Sequence, residues 1–181
     1  MKGIVFTEFL DMVEAEFGYS MVDDLIENSE LSSNGIYTAV GTYHHSEIVT
    51  LLTKLSEKSK IPAEALLKSF GEYLFDTFLK QYPQFFSVHD DAFSFLESID
   101  SHIHVEVLKL YPEATLPKFT THVNQENEMS MLYQSERKMA ALAEGLIHKS
   151  LLHYKEDCKV EKSNIKEDGS EVKFTITRIT K

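Results

Sequence analysis

Apolar residues recur at three- and four-residue steps through the first hundred positions of the chain, then at alternate positions through much of the remainder. Ile4, Val5, Phe9, Met12 and Val13 form one stripe of an opening helix, which Phe17-Gly18 should stop. A second short helix fits residues 21–27, ahead of the loop NSELSSNG. The pattern predicts two longer helices over 45–58 and 62–81, the latter with Pro62 at a first-turn position. Tyr82-Pro83 breaks that helix, and another fits 90–110, closed by Tyr111-Pro112.

After Pro112 the texture changes. KFTTHVN (118–124) and MSMLYQS (129–135) alternate on either side of a QENE turn, which reads as a hairpin. The run SERKMAALAEGLIHKSLLHYKE predicts a long helix with Met139, Leu142, Leu146 and Ile147 on one side. Two more strands, 158–165 and 171–179, flank KEDGSE, whose Asp-Gly is a strong turn signal. The expected fold class is α+β: a helical N-terminal part, then a four-stranded antiparallel sheet carrying one long helix.

Length and composition narrow the function. At 181 residues and 43% hydrophobic content the chain is sized for one domain with a real core. Its 18 basic and 29 acidic residues give a net charge of −11, with no basic cluster along the chain. That disfavours nucleic acid and anionic membrane as partners, since both need concentrated Lys and Arg. No stretch approaches the roughly 18 apolar residues of a membrane span. The start MKGIVFTEFLDMVEAEF lacks a basic region leading into a long apolar run, so no secretory signal is expected. A lone cysteine, Cys158, leaves no internal disulfide or multi-cysteine zinc site and suits a reducing compartment. The expected location is the cytoplasm.

Within 90–110, IDSHIHVEVLKLYP carries two histidines one residue apart. On a helix, His104 has Leu96 eight residues before it, Val107 and Leu108 three and four after, and Tyr111 seven after. His102 has Ser98 behind it and Glu106 and Lys109 ahead, so His104 faces inward more than His102. A core histidine bonded to a neighbour satisfies this pattern, and so does an axial metal ligand in an apolar pocket. No second ligand sits at zinc spacing. An iron held in a porphyrin needs only one protein ligand. In YQSER, Tyr133, Ser135 and Arg137 alternate, so at a strand end three donors point to one side and suit a carboxylate or phosphate. A helix starting there would add its N-terminal amides, although a polar sheet edge with a helix cap explains the same residues.

Together these features resemble the heme nitric oxide/oxygen-binding (H-NOX) domains, the sensor module shared with soluble guanylate cyclase. The resemblance spans nearly the whole chain, from the Met-Lys-Gly start to the final hairpin. It rests on a histidine seven residues before Tyr-Pro, then Pro117, then Tyr-x-Ser-x-Arg. It implies one heme b (iron protoporphyrin IX) domain over 1–181, with a distal helical subdomain at 1–60 and a proximal heme-binding subdomain at 61–181, the heme lying between helical part and sheet. It implies that His104 is the axial iron ligand, and that Tyr133, Ser135 and Arg137 bind the heme propionates. It further implies that Pro117 and Val5 pack on the porphyrin, Pro117 distorting it.

In the oxygen-binding members of that family a tyrosine sits five residues after the motif arginine; here that place is Leu142. Phe9 and Leu74 match the tryptophan and asparagine that support it, and Val5, Phe78 and Leu146 are expected to complete the distal lining. A hydrogen bond to a charged ligand is worth roughly 1.5–3 kcal/mol, about one to two decades in affinity. Losing it removes much of the hold on oxygen, while nitric oxide and carbon monoxide depend far less on a donor. The resemblance thus implies a sensor, not an enzyme, that binds nitric oxide at ferrous heme and excludes oxygen. It signals by rupture of the iron–histidine bond to a separate effector, a histidine kinase or a cyclic-di-GMP enzyme. The alternatives are a heme-free interaction module, an oxygen-binding variant and a heme enzyme. The last needs a polar distal acid or base, which these positions lack. His44, His45, His89, His122, His148 and His153 read as surface residues, and Cys158 as a small packed residue.

Overall fold

In the computed structural model, which describes residues 1–125 and 127–179, the opening stripe forms helix α1 (Gly3–Phe17), with Phe6, Phe9, Met12 and Val13 buried. Gly18, at a φ of 85°, turns the chain into α2 (Tyr19–Glu27). Helices α3 (His45–Ser59) and α4 (Ala63–Gln81) follow close to their expected bounds, although Pro62 caps α4 from outside rather than entering its first turn. These four helices share a core built on Phe6, Phe9, Leu25, Leu51, Leu55 and Phe70. Ahead of α1 the chain is zipped to residues 39–43. Lys2 pairs with Thr42, Gly3 N–H donates to the Gly41 carbonyl at 2.8 Å, and Tyr43 N–H to that of Met1 at 3.0 Å.

The helix expected over 90–110 is three pieces: α5 (Ala92–Ser98), a π-helical turn (Ile99–Ile103) and α6 (His104–Leu110). The Asp91 carboxylate caps α5 by accepting the Ser94 N–H at 3.1 Å.

Strands β1 (Lys118–Gln125), β2 (Glu128–Gln134), β3 (Cys158–Asn164) and β4 (Glu171–Arg178) form one antiparallel sheet in the order β1-β2-β4-β3. The QENE turn between β1 and β2 lies partly outside the described residues, at Glu126. Met129, Met131 and Tyr133 of β2 and Val172, Phe174 and Ile176 of β4 are buried, alternate residues on one face. That face shares a second core with Phe93, Phe95 and Leu96 of α5 and with Ala143, Ile147 and Leu151 of the last helix.

The last helix, α7 (Ala140–His153), starts five residues later than the sequence pattern suggests. Lys138 adopts a φ of 56°, and the Met139 N–H donates to the Tyr133 phenol oxygen at 2.9 Å, so 135–139 form a turn. Beyond it, α7 crosses α4 with backbone against backbone. A Cβ on Gly145 would stand 2.0 Å from the Lys68 carbonyl oxygen, and one on Gly71 2.3 Å from that of Leu142. Only glycine permits that approach. It sets Leu74 and Phe78 of α4 beside Leu142 and Leu146 of α7, along one side of a single cavity.

Candidate functional site

The π turn decides where His104 points. In an uninterrupted α-helix, at about 100° per residue, Leu96 and His104 would stand some 80° apart around the axis. One inserted π residue makes the separation equivalent to seven, which brings them to within about 20° of one face. Leu96 and His104 accordingly line the same cavity, while His102 is exposed and stands edge to face with Phe85, 6.1 Å between ring centroids. The stripe after His104 is narrower than expected. Val107 lines the cavity, but Leu108, placed beside it by simple periodicity, is 40% exposed.

His104 is three-quarters withdrawn from solvent or more, its side chain being 16% exposed. Its Nδ1 lies 3.4 Å from Asp100 Oδ1, and the same oxygen accepts the backbone N–H of Phe119 at 3.2 Å. Burial holds the imidazole pKa below its ordinary value, although Asp100 pulls the other way. The ring is therefore neutral near pH 7, and with Nδ1 turned to Asp100 the lone pair is on Nε2. A carboxylate behind a histidine in this way fixes the tautomer and raises its basicity as a ligand. Asp100 was not singled out from sequence. An aspartate four residues before a histidine is the signal that could have found it.

The cavity measures about 600 Å³, within the usual range for a cofactor site, and its walls are mainly hydrocarbon. Val5, Leu74, Phe78, Leu142 and Leu146 all line it, as does Pro117. Phe9, expected in this wall, stands behind it: the ring is fully buried and meets Phe70 edge to face at 5.3 Å. It is absent from the lining because α1 turns Ile4, Val5 and Glu8 toward the cavity and Phe9 toward the helical core. Among the polar side chains that reach the cavity, the Glu8 carboxylate accepts from Thr77 Oγ1 at 2.7 Å. Gln81 lies two turns beyond Leu74 on α4, roughly 10 Å along the axis, with Tyr82 next to it.

Tyr133, Ser135 and Arg137 also line this cavity, so the fold brings them to one place with His104. They do not act as three equivalent free donors. The Tyr133 phenol is buried and accepts the Met139 N–H, which leaves its own hydrogen to donate, and Ser135 Oγ accepts the Arg137 N–H at 3.2 Å. The late start of α7 moves the helix N-terminus away from the motif, so its amides are not where a helix opening at 135 would put them. Arg137 is half-buried, and burial pushes its pKa down. Its guanidinium has no carboxylate partner among the described residues. A half-buried cation without a counter-charge at the edge of an apolar cavity fits a ligand that brings its own anion.

The remaining histidines divide. His44, His122 and His153 are exposed as expected, but His45, His89 and His148 are half-buried. His89 Nε2 is buried with no hydrogen-bond partner among the described residues, and His148 Nε2 lies 3.4 Å from Lys68 Nζ. Period counting missed these burials because 89 sits in a loop and 148 on a helix enclosed on several sides. Cys158 is half-buried at the start of β3, where burial, with Glu156 nearby, pushes the thiol up to about 11. That thiol is a poor nucleophile, as a packed cysteine should be. No described helix is long and apolar enough to cross a membrane.

A neutral imidazole, a large apolar cavity and a guanidinium at its edge with no carboxylate partner among the described residues suit an apolar ligand that carries acidic groups. A family profile described as Haem-NO-binding matches residues 2–162. The fold superposes on the unliganded Fe(II) H-NOX protein from K. algicida with a TM-score of 0.96 at 42% identity, covering 100% of this chain and 98% of that one. For the H-NOX from Shewanella woodyi in the Fe(II)CO state the values are 0.84 and 43%, covering 99% and 95%. For the H-NOX protein from S. oneidensis in the Fe(II)NO state they are 0.91 and 26%, covering 99% and 100%. No curated protein matches the chain. The chain belongs to the Haem-NO-binding, or H-NOX, family of heme-based gas sensors. Its members bind heme and gases such as nitric oxide and carbon monoxide, and they are sensor domains rather than enzymes.

Proposed function

We propose that this protein is a nitric oxide sensor that uses heme b, does not hold oxygen, and reports to a separate effector protein. The observation that carries the reading is the pairing of His104 with a wall that offers hydrocarbon at Leu74 and Leu142, in the same cavity. Heme b, when bound, would supply a ferrous iron able to take up a diatomic gas, and nitric oxide would loosen its bond to His104.

The chain's own part follows from its geometry. His104 offers Nε2 as the protein's bond to the iron, and Asp100 keeps the ring in the tautomer that allows it. Arg137, with Ser135 and the Tyr133 hydroxyl, receives the propionates. Pro117 and Val5, which both line the cavity, would pack against the macrocycle. Leu74, Phe78, Leu142 and Leu146 exclude water and present no hydrogen to a bound gas, which favours ligands that need none. Release of His104 frees α6 to move, and the shift is limited by the gas's differential affinity for the two positions. Residues 1–60 and 61–181 would then act as distal and proximal subdomains of one domain.

The effector in this reading is a histidine kinase or a cyclic-di-GMP enzyme on another chain, in the cytoplasm. The half-buried, unpaired guanidinium of Arg137 counts against a heme-free module, which would gain nothing from it. The test is the absorption spectrum of the reduced, heme-loaded protein under nitrogen, air and nitric oxide. The reading requires a response to nitric oxide and no oxygen-bound spectrum.

A further inference from the structure

A side-chain contact joins the end of the helix of His104 to the N-terminal layer. Lys2 Nζ donates to the Val40 carbonyl at 2.8 Å and to Thr42 Oγ1 at 3.1 Å, and it stands 4.5 Å from the centre of the Tyr111 ring. That is within the range at which a cation is attracted to an aromatic face. Tyr111 follows α6 directly, its N–H donating to the Val107 carbonyl at 2.8 Å, and it is seven residues from His104, two turns along the same face. Lys2 and Tyr111 both line the cavity.

The two sides of this contact differ in rigidity. Lys2 is fastened: the backbone of residues 1–4 is hydrogen-bonded to residues 39–43, and two of the three ammonium hydrogens are fixed to that layer. Helix α6 is not. Among the described residues, the other side-chain hydrogen bonds and ion pairs of 104–111, His104 to Asp100 and Lys109 to Glu106, stay within residues 100–109. Val105 and Leu108 are exposed, so packing holds the outer face of the helix weakly.

We infer that Lys2 is a positioning residue for His104. Its ammonium grips the Tyr111 ring, straps α6 to the N-terminal layer, and sets how readily the helix departs when the histidine is released. The inference rests on the nitric oxide reading above. Moving α6 away from the layer breaks the strap, so the strap opposes release, and a weaker strap gives faster release. The ring is what the ammonium needs, so Phe can replace Tyr111, and any cation of similar reach can replace Lys2.

The experiment is rapid mixing of the reduced, heme-loaded full chain with nitric oxide, following the absorption change that reports loss of the histidine. Lys2→Gln and Tyr111→Leu should each speed that step about two- to fivefold, the scale of a partly exposed cation–π contact. Lys2→Arg and Tyr111→Phe should stay close to wild type. The double variant Lys2→Gln/Tyr111→Leu should be no faster than either single one, because both remove the same contact. Unchanged rates in Lys2→Gln, or fully multiplicative effects in the double variant, overturn the strap. A wild-type protein that keeps its histidine under nitric oxide overturns the sensor reading instead. The strap is then judged by amide hydrogen exchange at 105–111 in the unliganded ferrous protein: faster exchange in Lys2→Gln upholds it, and equal exchange overturns it.

Discussion

Asp100 Oδ1 stands 3.4 Å from His104 Nδ1 and also takes the backbone N–H of Phe119, so one carboxylate oxygen serves the histidine and the first strand of the sheet. The ring's orientation is therefore tied to β1 as well as to its own helix. Asp100→Asn keeps an acceptor but removes the charge. The expected outcome is a lower iron–histidine stretching frequency in the resonance Raman spectrum, with heme still bound. An unchanged frequency would show that the 3.4 Å contact carries no influence on the ligand.

The two neighbouring histidines should separate cleanly. His104→Gly is expected to lose heme, or to keep it only when imidazole is supplied, because Nε2 of His104 is the nitrogen left for a ligand inside the cavity. His102 is exposed and should be replaceable by Ala with the spectrum nearly unchanged. The reverse pattern, with heme lost from His102→Ala and retained by His104→Ala, would refute the assignment.

Arg137→Ala should release heme to an acceptor apoprotein faster than Ser135→Ala does. The guanidinium supplies charge and a planar pair of donors, whereas Ser135 Oγ is partly engaged with the Arg137 N–H. Tyr133→Phe has a second consequence, since it strands the Met139 N–H in a buried turn. A loss of about 1–3 kcal/mol in folding stability follows, readable by denaturant unfolding of the apoprotein. Equal heme transfer from wild type and Arg137→Ala would remove the propionate role.

The helices, strands and hairpins followed from apolar spacing because each buries one clear face, as the alternation of Met129, Met131 and Tyr133 does. Features without a periodic signature were not legible. Nothing in IDSHI announces a π turn, yet that turn sets the direction of His104 relative to Leu96. The start of α7 was misplaced because Tyr133 takes the Met139 N–H across six residues, a tertiary choice that helix propensity does not express. Phe9 was assigned to the cavity wall by position, but a helix offers inward residues to two different neighbours, and α1 gives Phe9 to the core. Lys2 escaped notice because a lysine near a chain start signals nothing until its partners at 40, 42 and 111 are in place.

The crossing of α4 and α7 gives a prediction about stability. Gly145→Ala puts a methyl group where the Lys68 carbonyl oxygen already lies, 2.0 Å from the new Cβ, so the helices must separate. Overpacking of this kind costs about 1–3 kcal/mol. Parting the helices also widens the gap between Leu74 and Leu142. The variant should unfold at lower denaturant and bind carbon monoxide with altered kinetics; wild-type stability would show that the crossing has slack.

The central claim is that His104 holds a heme whose gas-binding side lacks a donor at positions 74 and 142. The most direct test is the absorption spectrum of the purified, reduced protein, exposed in parallel to air and to nitric oxide. In air the account predicts an unliganded or slowly oxidising heme; under nitric oxide it predicts tight binding with the histidine bond lost. Leu142→Tyr should begin to admit oxygen, though poorly, because Leu74 and Phe9 offer nothing to orient the new hydroxyl. A stable oxygen complex of the wild-type protein would contradict the account.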